Sequence, residues 1–131
     1  MRRRILFVDD DPNLVAGLSR ALHPLAQEWE VIFATNGDEA LTCLQDTPCE
    51  VVITDILMPE RDGLEVTMAL RRSCPAVKIV VMSGGGRWGT MHLLKVATKL
   101  GAHGILAKPF SPQQLIEVVQ GALQRYNEDH R

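Results

Sequence analysis

Four short stretches of this 131-residue sequence end in side chains that can bind a cation, hold an anion or attack an electrophile. Asp9, Asp10 and Asp11 follow Ile5-Leu6-Phe7-Val8, and Asp55 follows Val51-Val52-Ile53-Thr54. Ser83 closes Lys78-Ile79-Val80-Val81-Met82 ahead of Gly84-Gly85-Gly86, and Lys108-Pro109 follows Gly104 to Ala107. Carboxylates gathered in one place repel and raise each other's pKa, and a hard divalent cation is the usual means of keeping them ionised. Mg²⁺ is the natural choice, because it takes one or two carboxylates, keeps waters and leaves room for a phosphate oxygen. An ammonium and a hydroxyl would be redundant beside a metal alone, and gain a purpose if an anion shares the site. A metal, a cation and an in-line nucleophile are what phosphoryl transfer requires. A carboxylate can be that nucleophile, giving an acyl phosphate, and Asp55 is the candidate.

The elements that must position these groups are read from hydrophobic periodicity. Ile5 to Val8, Val51 to Ile53 and Lys78 to Met82 are short, β-branched, apolar runs of the kind buried on both faces of a sheet, and Glu30 to Ala34 and Gly104 to Ala107 are weaker versions. Helical spacing joins Leu14, Leu18, Leu22 and Leu25; Ala40, Leu41 and Leu44; Leu64, Met68 and Arg71; Leu93, Val96, Ala97 and Leu100; and Leu115, Val118, Val119, Ala122 and Leu123. Asp11-Pro12 and Ser111-Pro112-Gln113-Gln114 mark helix starts, so Asp11 is assigned to capping, and Gly101 marks a helix end. Five alternating β-α units call for a parallel sheet with helices on both faces and right-handed crossovers. In such a sheet ligands bind beyond the carboxyl ends of the strands, where the acids, Ser83 and Lys108 fall.

Composition sets the boundaries. The length suits one domain over residues 1–131, and 46% hydrophobic with 23% charged residues is too apolar for disorder. A formal charge of −2 offers no basic excess for nucleic acid or anionic membrane, and no apolar run approaches the ~20 residues of a spanning helix. Neither partner is expected. Cys43, Cys49 and Cys74 lack C-x-x-C spacing and are odd in number, which fits a reducing cytoplasm and small buried residues. His23, His92, His103 and His130 show no metal-ligand spacing and are expected at the surface or at helix ends.

The segments Ile5 to Pro12, Val51 to Pro59 with Asp62-Gly63, Val81-Met82-Ser83-Gly84 and Ala107-Lys108-Pro109-Phe110 resemble, in order and spacing, the motif blocks of two-component response-regulator receiver domains. The resemblance covers nearly the whole chain. It implies a flavodoxin-like sheet of order 2-1-3-4-5 and phosphorylation of Asp55 by a histidine kinase or phosphotransfer protein. Carried over by position, Asp10 and Asp55 would ligate Mg²⁺, Asp9 would act mainly through bound water, and Leu57 would offer its carbonyl. Lys108, whose bond to Pro109 is typically cis in this family, would pair with the phosphoryl group, and Ser83 would hydrogen-bond it. The resemblance further implies output to a protein partner, or a homodimer contact, through the fourth helix, fifth strand and fifth helix, including Lys95, Lys99 and Gln113.

The sequence also departs from the pattern. Ile105 stands where receivers usually carry Tyr or Phe, and the loop Gly84-Gly85-Gly86-Arg87-Trp88-Gly89 holds about three surplus residues by comparison with the family. That loop also spells G-x-G-x-x-G, yet no Asp or Glu occurs from Gly89 through Ile116 to bind a ribose, so dinucleotide binding is discounted. Leu57 and Gly85 offer no polar side chain to orient water, which points to slow self-dephosphorylation. The main rival is a small Mg²⁺-dependent phosphatase or phosphotransferase with an aspartyl-phosphate intermediate. Asp9 and Asp11 have its D-x-D spacing, but no cap domain is present and Pro12 follows Asp11. A receiver-shaped module that never meets phosphate is the third reading.

Overall fold

The computed structural model describes residues 2–55, 63–83, 95, 98, 99 and 101–130. Leu57, Met58-Pro59, the Gly84–Gly89 loop with Trp88, and Leu93, Val96, Ala97 and Leu100 of the fourth helical pattern lie outside the described residues, as does the Ser83 side chain.

In chain order the elements are β1 (Arg3–Val8), α1 (Pro12–Leu22), a 3-10 turn (His23–Leu25), β2 (Trp29–Ala34), α2 (Gly37–Asp46), β3 (Val51–Asp55), α3 (Gly63–Ser73), β4 (Lys78–Ser83), β5 (Gly104–Ala107) and a C-terminal helix (Pro112–Asp129). The strands form one parallel sheet in the order β2-β1-β3-β4-β5, the expected arrangement. Ile5, Leu6, Val8, Val51, Val52 and Ile53 are wholly inaccessible to solvent, as strands covered on both faces must be. Their alternating side chains feed two cores. Leu6, Val8, Val52, Ile79 and Val81 pack with Ala40 and Leu44 of α2 and Leu70 of α3. Ile5, Phe7, Ile53, Val80 and Met82 pack with Leu18 and Leu22 of α1 and Leu115, Val119, Ala122 and Leu123 of the C-terminal helix.

The helix signals hold at atomic detail. The Asp11 carboxylate accepts the Asn13 N–H at 2.9 Å, and Ser111 and Gln114 form a reciprocal capping box. Gly101 takes φ +96°, the left-handed geometry that suits a helix C-terminus, and its N–H donates to the Thr98 carbonyl at 3.1 Å. A Cβ there would lie 2.6 Å from Arg71 Cδ, so two constraints favour glycine at the same position.

The phase of α3 differs from the expected one. Spacing placed Met68 inward with Leu64 and Arg71, whereas Met68 is 43% exposed and Thr67 and Leu70 are buried completely. The buried face lies one residue before that series, because Thr67, which the series left out, is enclosed together with Leu70. Arg71 lies at the edge, where its guanidinium donates to the carbonyls of Pro75 and Val77 and closes the turn into β4. No helix among the described residues is long and apolar enough to cross a membrane.

Candidate functional site

The strand register brings the chemical groups to one rim. Val8 pairs with Thr54, Asp55 with Met82, and Ser83 with Ala107, so β1, β3, β4 and β5 finish nearly level. Asp9 and Lys108 are the next residues beyond their strands, and Asp55 ends β3. β5 lies two strand spacings, about 10 Å, from β3. A long lysine stem and a short aspartate arm together bridge that gap.

Lys108 Nζ donates to Asp55 Oδ2 at 2.7 Å and to Asp9 Oδ2 at 2.9 Å. Asp9 is buried, with a side chain only 3% exposed, while Asp55 and Lys108 retain 13% and 27%. Burial works against the lysine charge. The hydrogen bonds and Coulomb attraction of Asp55 and Asp9 outweigh it, so the ammonium titrates above its ordinary range and carries its charge at neutral pH. The peptide bond Lys108-Pro109 is cis.

Asp9 also ties the site to α1. Its Oδ1 accepts the Asp11 N–H at 2.9 Å while its Oδ2 holds Lys108, and Asp11 in turn caps the helix. Asp10, the next residue, is exposed. Thus Asp9, rather than Asp10, completes the cluster with Asp55 and Lys108. Thr54, wholly buried beside the nucleophile candidate, donates its hydroxyl to the Asp55 carbonyl at 3.2 Å and helps fix the end of β3.

Whether these residues suit Mg²⁺ is a question of donors. No group of three His, Cys, Asp or Glu side chains among the described residues forms a ready-made metal centre. Mg²⁺ does not need one: it binds through one or two carboxylates and keeps waters. Asp9 and Asp55 turn oxygens toward a single nitrogen, and Asp10, next in sequence to Asp9, is exposed. This all-oxygen set fits a partly hydrated Mg²⁺. It does not form a closed cage.

Of the residues singled out from the sequence, the structure joins Asp9, Asp55 and Lys108, leaves Asp10 exposed beside them, and brings the backbone of Ser83 to the same rim. Leu57 lies outside the described residues. The direct Asp9–Lys108 contact was not read from sequence, because three consecutive aspartates give no signal of which one turns inward. Next to the cluster, Leu14, Pro109, Phe110 and the Lys108 stem line a cleft of about 440 Å³ between α1 and the start of the C-terminal helix. The cysteines are free, and burial pushes the Cys49 thiol up to about 12, which leaves it no thiolate character at neutral pH.

Residues 5–120 match the family profile described as the response regulator receiver domain. The chain is 32% identical over 129 residues to the DNA-binding response regulator MtrA of Mycolicibacterium smegmatis, covering 98% of this chain and 54% of that protein. Among solved structures, the chemotaxis protein CheY4 of Vibrio cholerae superposes with TM-score 0.82 at 28% identity, covering 92% of this chain and 98% of that one. A response regulator receiver domain protein from Clostridium thermocellum gives TM-score 0.84 at 25% identity, covering 95% and 97%. The chain spans about half the length of the first curated relatives it matches.

Proposed function

The chain belongs to the response-regulator receiver family, the signal-receiving module of two-component systems, and from that premise we propose that Asp55 accepts a phosphoryl group from the phosphohistidine of a histidine kinase or phosphotransfer protein. The observation that carries this reading is the single ammonium of Lys108, bound at once to Asp55 and Asp9 at the rim where four strands end. An Asp55 carboxylate oxygen attacks phosphorus, a P–O bond forms as the donor's P–N bond breaks, and the imidazole leaves with the electron pair. Lys108 holds a phosphoryl oxygen as charge develops, Asp9 holds Lys108, and Ser83 hydrogen-bonds the attached group.

In this reading Asp10 and Asp55, with the Leu57 carbonyl and with Asp9 through water, hold Mg²⁺. Bound there, Mg²⁺ supplies neutralisation of the charge that carboxylates and phosphate bring together. The donor's histidine enters beside the apolar cleft of Leu14, Pro109 and Phe110. Residues 1–131 act as one receiver domain that transfers and hydrolyses only its own phosphoryl group, slowly, rather than turning over a substrate. The setting is the cytoplasm, consistent with three free cysteines. The signal passes to a protein partner, or a second copy, through the fourth helix, β5 and the C-terminal helix, with no nucleic-acid contact by this domain.

The test is intact-mass spectrometry with acetyl phosphate as donor. Wild type with Mg²⁺ should gain one phosphoryl group, and excess EDTA should prevent it. A gain that persists unchanged in EDTA would contradict the assignment.

A further inference from the structure

Away from the acidic rim, a cleft of about 180 Å³ opens between β5, the helical residue Thr98 and the C-terminal helix, lined by Thr98, Ala102, His103, Gly104, Ile105 and Arg125. For scale, a protein cavity of about 150 Å³ accommodates a benzene molecule. The space is the size of one side chain.

Its chemistry is that of a donor set on apolar walls. His103 extends the pairing of β5 with β4: its N–H donates to the Ile79 carbonyl at 2.7 Å, and its Nδ1 accepts the Ile79 N–H at 3.2 Å. An Nδ1 used as acceptor places the proton of the neutral ring on Nε2, leaving an N–H donor to offer. Burial, and then the cations Lys78, Arg71 and Arg125, push the ring down to about 4 against the opposing pull of Asp129, so the ring is neutral at pH 7. Asp129 is itself engaged by Lys78. Arg125 is exposed and makes no ion pair or hydrogen bond among the described residues. Lys95 and Lys99, also exposed and helical, stand three residues before and one after Thr98 in sequence. No acidic side chain among the described residues lines the cleft. Ala102 and Ile105 supply its apolar wall.

We propose that this cleft binds an acidic side chain of a partner protein, its carboxylate on Arg125 and the His103 Nε2–H and its carbon stem on Ile105 and Ala102. The arrangement gives a negative, acceptor-only group what it needs: one cation, one neutral donor and a partly dry wall. A basic side chain is repelled by Arg125, and an amide gains from it only a hydrogen bond without the attraction of opposite charges. The proposal rests on the reading of this face as the one that passes on the signal, and names the chemistry it recognises.

Isovalerate, a carboxylate with a branched apolar tail, is a suitable probe, followed by NMR at the His103 ring and Arg125 side-chain resonances. We expect saturable shifts at both with Kd of about 1 mM, the range reachable by a ligand of so few atoms. Isovaleramide should bind at least about ten-fold more weakly, and Arg125→Gln should weaken isovalerate by about the same factor, the loss of one charge-assisted hydrogen bond. Equal binding of acid and amide, an unchanged Arg125→Gln variant, or the absence of saturable shifts would overturn the proposal. Tighter binding of inorganic phosphate than of isovalerate would also overturn it, as would self-association abolished by Arg125→Gln, which would assign the cleft to a second copy. Labelling of Asp55 by acetyl phosphate should be the same in wild type and Arg125→Gln. Wild type that fails to label would fault the signalling reading, whatever the probe does.

Discussion

Lys108 Nζ lies 2.7 Å from Asp55 Oδ2, although 53 residues separate them in sequence and β4 stands between their strands. The same nitrogen holds Asp9 at 2.9 Å. One cation therefore orients two carboxylates, an arrangement that leaves little reorganisation for the proposed transfer step. The contact also explains why the positive charge is a lysine, since a single nitrogen with three donors on a long flexible stem can serve two carboxylates at once.

Removing that cation should slow the chemistry more than it disturbs the fold. Lys108→Ala is expected to lower the rate of labelling by acetyl phosphate by about 100-fold, the usual effect of deleting one preorganised charge stabiliser. Time-resolved intact-mass spectrometry measures it. Labelling at the wild-type rate would remove Lys108 from the mechanism.

The phase of α3 gives a stability contrast. Leu70→Ala, at a wholly buried position, should cost about 2–5 kcal/mol, whereas Met68→Lys, at the most exposed large apolar residue among the described residues, should stay within about 0.5 kcal/mol. Urea denaturation of the two variants decides between this phase and the one read from sequence.

At Gly101, with φ +96° and Arg71 Cδ 2.6 Å from the site of a Cβ, alanine should destabilise the domain by about 1–3 kcal/mol. In a Gly101→Ala/Arg71→Ala double variant the steric part should be relieved while the backbone strain stays. A double-mutant cycle from denaturation midpoints measures the coupling, and strict additivity would remove the Arg71 contact from the explanation.

His103 makes stability depend on pH. Its folded value is depressed from 6.5 to about 4, so the unfolded chain binds the proton more readily than the native one. The contribution is fully present above pH 6.5 and is lost progressively as pH falls toward about 4. Because the residue is only partly buried, the loss after screening is about 1 kcal/mol. His103→Gln, whose amide oxygen can accept the Ile79 N–H, should flatten this part of the stability profile. An unchanged slope would assign it to other groups.

How much of this was legible in the sequence follows from which signals are local. Strands, layers and caps were readable because buried parallel strands are apolar throughout and because Asp11-Pro12 and Ser111-Pro112 announce helix starts within a few residues, whereas the strand order came from the resemblance to receiver domains. The convergence of Asp55 and Lys108 could be expected from strand ends alone. What sequence did not disclose depends on side-chain direction. Nothing in Asp9-Asp10-Asp11 shows that the first turns inward, the second stays in solvent and the third caps a helix. Thr67 carries a hydroxyl and so falls outside an apolar series, yet it is wholly buried, which moves the inward face of α3 by one residue. His103 gave no motif at all, because its partner is the backbone of Ile79 on a neighbouring strand. Ile105, where an aromatic was expected from the resemblance, packs partly buried against the core shared with α2 and α3 and leaves a cleft beside it.

The central claim is that Asp55 is the phosphoacceptor, and the most direct measurement is chemical trapping of the labelled residue. Wild-type protein phosphorylated by acetyl phosphate and Mg²⁺, reduced with borohydride and digested, should yield homoserine at position 55, and Asp55→Asn should yield none. Homoserine at Asp9, Asp10 or Asp11, or undiminished labelling of Asp55→Asn, would contradict the account.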